Sequence, residues 1–198
     1  MTVLAHSLVL GSSSPRRAEI LRTLGVPFRL ESPRIEEPRA ARRSAPAHAI
    51  EMACAKLDDV RRRVDPHEVV LAADTVVAVD GDVLGKPVDD DEARRMLACL
   101  VGRDHEVWTA VVAARRDDAR IGQRIVRTRV RFRPAMPEEI DGYVATGEGR
   151  DKAGAYALQG LGMGLVESID GCWTNVVGLP ATQTLSLLRE MNVLLRWP

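Results

Sequence analysis

Several features are scarce or missing in this 198-residue sequence, and each absence excludes a class of protein. The 28 basic and 28 acidic side chains cancel to a formal net charge of +0, which argues against a protein that coats nucleic acid or an acidic membrane. The three cysteines, Cys54, Cys99 and Cys172, are an odd number without a CxxC pair, so we expect neither a disulfide framework nor a structural zinc site. Only three of the 28 basic residues are lysines.

Long apolar segments are also missing. No apolar run approaches the roughly 18 residues that span a bilayer, and the first residues lack the basic stretch that precedes the apolar part of a signal peptide. We therefore expect a cytoplasmic protein that acts neither at a membrane nor on nucleic acid. What is present, 45% hydrophobic and 28% charged residues, is typical of an ordinary globular chain with a buried core.

Short apolar strands alternate with amphipathic helices along the chain. The first strand leads into Ser14 and Pro15, which are typical of a helix start, and Gly25 is typical of that helix's end. Helical spacing predicts a longer helix over 45–64, and the apolar run 69–73 predicts a buried strand. Further helices are expected over 89–102, 137–145 and 181–195. Strands are also expected over 8–10, 107–113, 121–132 and 165–169. Two short strands, over 76–79 and 83–84, are expected to be joined by a turn at Asp80-Gly81. This order predicts an α/β fold with a mixed sheet.

The residues between the first strand and the first helix are small and polar, and two arginines follow them. Segment 12–17 reads Ser-Ser-Ser-Pro-Arg-Arg, and the free backbone N–H groups and dipole of a helix start favour an anion. The fork-shaped guanidinium groups of Arg16 and Arg17 match phosphate oxygens. The same segment is typical of a capped surface helix with solvated arginines, so both interpretations stay open from the local sequence.

Two further residues follow or join predicted strands. Asp74 comes directly after the run 69–73, and the carboxyl ends of strands are where open α/β sheets bind ligands. A carboxylate there could hold a divalent metal or activate water, or it could only cap the strand's end. Lys86 stands between Gly85 and Pro87, as a point charge for phosphate or as a plain β-turn lysine, and the glycine spacing excludes a P-loop.

The segment that ends at Gln159 is polar, then small, then aromatic. Gln159 could read a base edge through its paired donor and acceptor, and Tyr156 could pack against a ring, although a core tyrosine is the commoner role. The three glycines that follow do not fit GxGxxG, which excludes a dinucleotide fingerprint.

Two other patterns are interpreted as structural. Four arginines alternate with valine, threonine and phenylalanine over 126–133, which predicts a strand with a solvated arginine face. A nucleic-acid platform would interleave aromatic residues on that face, and none occurs. His105 is interpreted as a strand-start residue rather than a ligand, because its nearest histidine, His67, is not at metal-ligand spacing.

Nine short motifs occur in order along nearly the whole chain. They are SxSPRR at 12–17, AK at 55–56, ADTVV at 73–77, LGKP at 84–87, HxVxT at 105–109, GE at 147–148, DKAGAY at 151–156, QG at 159–160 and NVVGLP at 175–180. In this order and at these spacings they resemble the Maf family of nucleoside triphosphate pyrophosphatases. The combination is far more specific than any single motif.

The resemblance implies a fold and a reaction. The implied fold is α/β and related to that of inosine triphosphate pyrophosphatase: an elongated mixed β-sheet with flanking helices, forming two lobes around a central cleft in one domain over 1–198. The implied reaction converts a nucleoside triphosphate to its monophosphate and pyrophosphate with a divalent metal, Mg²⁺ or Mn²⁺, often in a homodimer. The process served would be control or house-cleaning of the nucleotide pool.

The resemblance also assigns roles by position. Asp74 matches the proton acceptor, and Asp74 with Glu36 or Glu37 would hold the metal, a choice that the sequence leaves open. The positions that match the triphosphate cleft are Ser12, Arg16, Arg17, Lys56 and Lys86.

Three residues match positions associated with base choice: Arg16, Thr75 and Gln159. Their combination resembles the branch that prefers dTTP and UTP, with modified pyrimidine triphosphates as secondary substrates. The branch that acts on 7-methyl-GTP typically has an aromatic residue in place of the first arginine. That activity and a non-catalytic nucleotide-binding regulator of cell division are the alternatives. A haloacid-dehalogenase-like phosphatase would need a second aspartate where Val76 stands, and a serine hydrolase would need GxSxG.

Overall fold

The structure is a computed structural model that describes residues 2–35 and 44–197. The strands are β1 (Val3–Leu4), β2 (Leu8–Gly11), β3 (Arg29–Leu30), β4 (Val69–Val79), β5 (Asp82–Leu84), β6 (Asp104–Ala114), β7 (Gly122–Phe132), β8 (Val166–Asp170) and β9 (Leu194–Arg196). The α-helices are α1 (Pro15–Thr23), α2 (Ala45–Arg61), α3 (Asp90–Leu100), α4 (Pro137–Ala145), α5 (Trp173–Val177) and α6 (Ala181–Glu190). Short 3₁₀ helices lie at Ala153–Ala155 and Leu161–Leu165. None of the described helices combines the length and apolar content needed to cross a bilayer.

Most of the strands form one mixed sheet. Its order is β3-β2-β4-β6-β7-β8, and β5 pairs with β4 beside that path. β2 is parallel to β3 and to β4, because the segments containing α1 and α2 supply the crossovers that parallel strands require. From β4 to β8 along this path, neighbouring strands are antiparallel. The predicted α/β class, with a mixed sheet and flanking helices, is confirmed.

Asp74 lies inside a strand, whereas the sequence predicts that it follows one. The apolar run ends at Ala73, but β4 continues through Asp74 and Thr75 to Val79. The reason is that β6 pairs with β4 without interruption from residue 70 to residue 78. The ladder with β6 therefore carries the strand across its two polar residues.

The other edge of β4 is covered only in part. β2 pairs with residues 69–72, and β5 pairs with residues 77–79. In the part of the chain that the structure describes, residues 73–76 have no strand partner on this edge. A parallel neighbour ends there and an antiparallel one begins, and such a change of partner is where α/β sheets bind ligands.

Alternate residues of β4 face different hydrophobic clusters. On one face, Leu71 packs in a cluster with α1 and α6, and Val77 packs in a second cluster with α3 and α4. On the opposite face, Ala72 packs in a third cluster, which contains the apolar side of α2. The first two clusters lie on one face of the sheet, and we call these clusters, with the helices that pack in them, the two lobes.

The helix α2 and the hairpin agree with their predictions. Ala49, Ala53 and Leu57 of α2 are buried at helical spacing, as an amphipathic helix requires. Between β4 and β5, Asp80 and Gly81 have φ of 52° and 88°, the positive values that a two-residue hairpin turn needs.

The strand β7 has the predicted alternation. Arg127, Arg129 and Arg131 are exposed, whereas Thr128 and Val130 are buried. Carboxylates of neighbouring strands pair with this face, as in the Arg127–Glu106 and Arg131–Asp104 ion pairs.

The C-terminal segment differs from its prediction. The sequence predicts one helix over 181–195, but α6 ends at Glu190 and β9 pairs antiparallel with β1. Asn192 has a φ of 56°, a left-handed conformation that stops a helix. Leu194 is then buried and Leu195 exposed, which is the alternation of a strand. A short apolar run fits both periods, so the sequence pattern alone misassigned it.

Candidate active site

A cavity of about 1060 Å³ opens where β4 lacks a strand partner. Its walls include the β2–α1 junction, the helices α2 and α3, the middle of β4, the turn after β5, and the segments 151–159 and 176–178. Side chains from the cores of both lobes reach its lining, including Met96 and Val177. The cavity is therefore the cleft between the lobes.

A buried ion pair lies at one side of this cleft. Asp74 points to the α2 face of β4, and Lys56 stands on the buried side of α2. The Lys56 Nζ donates to Asp74 Oδ1 at 2.6 Å, and the two residues are only 6% and 7% exposed. Two buried charges are stable together only when they are paired. This contact fixes the direction of the Asp74 carboxylate at the edge of the cavity.

On the other face of β4, Arg17 joins segments that are distant in the sequence. Its Nε donates to the carbonyl of Gly178 at 2.8 Å, and its Nη2 donates to Thr75 Oγ1 at 3.1 Å. Its Nη1 makes a longer contact of 3.4 Å with Ser12 Oγ. Arg17 is buried, so these bonds hold α1, β4 and the end of α5 in one arrangement.

The same network continues into β6 and α5. Thr75 and Thr109 share a hydrogen bond of 2.8 Å between their hydroxyls, and Thr109 donates to the carbonyl of Asn175 at 3.0 Å. The fully buried Asn175 side chain donates to the Val107 carbonyl and to Thr128 Oγ1, both at 3.0 Å. Val107 and Thr109 belong to the HxVxT motif and Asn175 to the NVVGLP motif, and no sequence pattern indicated that these two motifs are in contact.

The solvent side of the cleft carries Arg16, Lys86 and Gln159. Arg16 is half-buried, while Lys86 and Gln159 are exposed. Burial lowers the pKa of Arg16, and the nearby Asp151 carboxylate partly opposes that shift. Among the described residues, the buried Nε of Arg16 has no hydrogen-bond partner. All three side chains carry N–H donors and line a cavity that is large enough for a nucleotide.

Comparison with known proteins identifies the family. The family model described as Maf-like protein matches residues 7–191. The chain belongs to the Maf-like family. The Maf-like chain is 46% identical over 188 residues to a dTTP/UTP pyrophosphatase of Symbiobacterium thermophilum. The aligned residues cover 94% of this chain and 95% of that protein. Proteins with the same description from an Anaeromyxobacter species and from Shigella dysenteriae are each 45% identical, covering 98% and 95% of this chain and 94% of each relative.

The Maf-like cleft brings together the described residues that the sequence selected. They all line the same cavity: Ser12, Arg16, Arg17, Lys56, Asp74, Thr75, Lys86 and Gln159. Glu36 and Glu37 lie outside the described residues. Ser14 stands at the N-cap of α1 as predicted, but it makes no side-chain cap bond, and its N–H donates instead to Ser12 Oγ at 3.1 Å.

His105 and Tyr156 have structural roles in this Maf-like chain. The Nε2 of His105 and the hydroxyl of Tyr156 lie 2.9 Å apart, and both rings pack edge-on against Phe132. Burial lowers the pKa of His105 to about 4, so its ring is neutral at physiological pH. His105 is the second residue of β6, as its interpretation as a strand-start residue predicts.

The donor chemistry of the cleft bears on the expected metal. No cluster of three or more histidine, cysteine, aspartate or glutamate side chains suited to a metal occurs in residues 2–35 and 44–197. Asp74 and Asp151 offer single carboxylates to the cavity. Mg²⁺ in nucleotide sites is normally held by one or two carboxylates together with phosphate oxygens. The described residues therefore fit a cation that is shared with a triphosphate.

Proposed function

We propose that this Maf-like protein is a nucleoside triphosphate pyrophosphatase that hydrolyses dTTP and UTP to the monophosphate and pyrophosphate. The observation that carries the proposal is the buried Lys56–Asp74 pair beside a nucleotide-sized cleft with basic side chains. The names of the relatives, which are about 45% identical over nearly their whole length, support the choice of substrate.

The triphosphate would bind to donors from three elements. Arg16 and the backbone N–H groups at the start of α1 suit the anionic oxygens, and Lys86 supplies a compact point charge after β5. Arg17 has three of its N–H donors in contacts with the protein. Its main contribution is therefore to hold Ser12 and Thr75 in place.

Asp74 would accept the proton of the attacking water. The oxygen of water bonds to the α-phosphorus, and the bond from that phosphorus to the bridging oxygen breaks. Pyrophosphate leaves with the bridging oxygen while a proton of the water passes to the carboxylate. Lys56 keeps the carboxylate oriented by its bond to Oδ1, and Oδ2 would take the proton. Arg16, Lys56 and Lys86 stabilise the negative charge that grows on the leaving pyrophosphate.

A divalent metal, Mg²⁺ or Mn²⁺, belongs to this proposal. Asp74 would hold it, together with Glu36 or Glu37 and the phosphate oxygens. When bound, such an ion neutralises phosphate charge and makes the phosphorus more electrophilic.

Base choice would depend on Arg16, Thr75 and Gln159. The exposed Gln159 presents a donor and an acceptor on one amide, which suits the imide edge of thymine or uracil. Thr75 has its hydroxyl fixed by Arg17 and Thr109, so it defines a rigid wall of the cleft.

The proposal also covers domain organisation, location and assembly. The chain works as one domain over 1–198, in the cytoplasm and without nucleic acid as partner, and its three cysteines are free thiols, as a reducing compartment favours. It forms a homodimer, which rests on the family resemblance. Light scattering after gel filtration tests the dimer, and a monomer at micromolar concentration would contradict it.

The decisive experiment is a substrate panel with detection of pyrophosphate. The purified protein is given dTTP, UTP, dCTP, dGTP and 7-methyl-GTP with Mg²⁺ and, separately, with Mn²⁺. We expect pyrophosphate release that is fastest with dTTP and UTP. Thermal stabilisation by nucleotide without turnover would favour the regulator, and release of orthophosphate alone would favour a phosphatase. Equal rates across the panel would refute the assignment of base choice.

A further inference from the structure

The segment 157–162, which carries Gln159, folds around the carboxylate of Glu148. Glu148 lies shortly after α4 and is half-buried. Its Oε2 accepts from the N–H of Leu161 at 2.8 Å, and its Oε1 accepts from the N–H of Gly162 at 2.9 Å. The residues immediately beyond Gln159 are thus tied to one side chain.

Tyr143 of α4 ties down the other end of the segment. Its hydroxyl donates to Glu148 Oε1 at 2.9 Å and accepts from the N–H of Ala157 at 3.1 Å. Tyr143 is buried, with 7% of its surface exposed. Glu148 and Tyr143 therefore brace the backbone on both sides of Gln159, and we call this pair the brace.

Glycines allow the segment to approach the brace so closely. At Gly160, where φ is 130°, a Cβ would lie 2.3 Å from Glu148 Oε2. At Gly162, a Cβ would lie 2.4 Å from the carbonyl oxygen of Ala157 and 2.8 Å from the Tyr143 hydroxyl. Two of the three glycines that fit no dinucleotide motif thus allow close contacts with the brace and with the segment's own backbone.

The carboxylate of the brace is charged. Burial would raise the pKa of Glu148, but the N–H groups of Gly162 and Leu161, the Tyr143 hydroxyl and the charge of Lys152 together lower it. Hydrogen bonds to an ionised acceptor are roughly twice as strong as those between neutral groups. The brace therefore holds the segment more firmly than a neutral side chain could.

We propose that Glu148 and Tyr143 are positioning residues for base selection, because they fix the backbone that presents the Gln159 amide to the base. The inference rests on the proposed function. Gln159 is exposed and belongs to neither a helix nor a strand, so its amide depends on these contacts for a defined position. Selectivity requires such pre-organisation, since a mobile amide accepts several base edges.

The test compares kcat/KM for dTTP and for dCTP in the full-length protein. Glu148→Gln keeps the size of the side chain but removes the charge and turns an amide N–H group toward N–H donors. We expect the dTTP to dCTP ratio to fall about tenfold in E148Q and about threefold in Y143F, which loses only a hydroxyl. Glu167→Gln is the matched control, because Glu167 is exposed on β8, away from the cleft, and its ratio should not change.

A double-mutant cycle shows whether the brace acts through Gln159. In a Gln159→Ala background, adding E148Q should not lower the ratio further. An unchanged ratio in Y143F and E148Q, or equal additional losses with and without Gln159, would overturn the inference. If E148Q does not fold, Y143F and its own cycle with Q159A decide. A wild-type protein that releases no pyrophosphate from any triphosphate would instead refute the proposed function.

Discussion

Asp74 and Thr75 are neighbours on β4, yet their side chains point to opposite faces of the sheet and meet different partners. Asp74 faces α2, where it pairs with the ammonium of Lys56. Thr75 faces the lobes, where its hydroxyl bonds to Arg17 and Thr109. Both lie in the stretch where β4 has lost β2 and has not yet gained β5 as a neighbour.

Asp74 and Thr75 therefore suit two different tasks in the cleft. A buried carboxylate that a cation holds through one oxygen can use its second oxygen for a proton or a cation, and its value lies in charge. A hydroxyl inside a network of hydrogen bonds has its lone pairs and proton committed, and its value lies in position. Because successive side chains of a strand alternate in direction, two adjacent residues can serve these tasks at one point of the cleft.

The largest expected effect comes from removing the charge on the α2 face. Asp74→Asn keeps the size of the side chain but cannot accept the proton of water. We expect kcat for dTTP to fall about 10³-fold, within the range for a lost general base. Steady-state release of pyrophosphate measures it, and Asp170→Asn, an exposed change on β8, is the control. Near-normal turnover in folded D74N would refute the assignment of Asp74.

The free energy of unfolding should show that Lys56 and Asp74 stabilise each other as a pair. Lys56→Met leaves the Asp74 carboxylate buried without its Lys56 partner, and we expect a loss of about 3 kcal/mol in the free energy of unfolding. The double variant with Asp74→Leu removes both charges and should recover much of that loss while staying inactive. Urea unfolding measures both. A K56M protein as stable as the wild type would show that Lys56 does not compensate the charge of Asp74.

The next largest effect is expected from removing a hydrogen-bonding group on the opposite face of β4. Thr75→Val keeps the shape of the side chain but removes the hydroxyl that bonds to Arg17 and Thr109. We expect KM for dTTP to rise about tenfold with a smaller change in kcat, because a lost hydrogen bond here disturbs binding geometry rather than the proton acceptor. Thr75→Ser should restore most of the affinity. A change confined to kcat would instead place Thr75 with Asp74 in the chemical step.

His105 lies on β6, on the same face as Thr109. Because its ring is buried, we expect its protonation to make the stability of this face depend on pH. Its pKa is lowered to about 4 in the folded protein, whereas a free histidine titrates near about 6.5. Its contribution to stability is therefore complete above pH 6.5 and is lost as the pH falls from 6.5 toward 4. We expect a loss of about 3 kcal/mol over that range. Unfolding of His105→Gln should show a smaller dependence on pH across the same window, and an unchanged slope would contradict the burial of a neutral ring.

The smallest effect is expected outside the cleft. Arg127→Gln on β7 breaks an exposed ion pair with Glu106, and such pairs contribute at most about 1 kcal/mol. Activity should be unchanged and the melting temperature should move by only a few degrees. A loss of turnover would mean that the arginine face takes part in function.

The sequence patterns predicted local features well, including the hairpin between β4 and β5, but not the full length of the strands. The spacing of apolar residues found α2, and the Asp80-Gly81 pair found the hairpin. They did not show that β4 runs unbroken through Asp74, because that depends on β6, whose pairing is a long-range contact. They also assigned residues 191–195 to α6, because a short apolar run does not distinguish a helix from a strand.

The sequence by itself determined the family, the α/β class and the set of residues that meet in the cleft, since these follow from ordered motifs and local periodicity. Only the tertiary structure decided what each residue does there. It bound Arg17 to Gly178, 161 residues away, paired Asp74 with Lys56, and tied Gln159's segment to Glu148. Such partners depend on where neighbouring strands end and which face each side chain takes, and no local pattern in the chain encodes those two things.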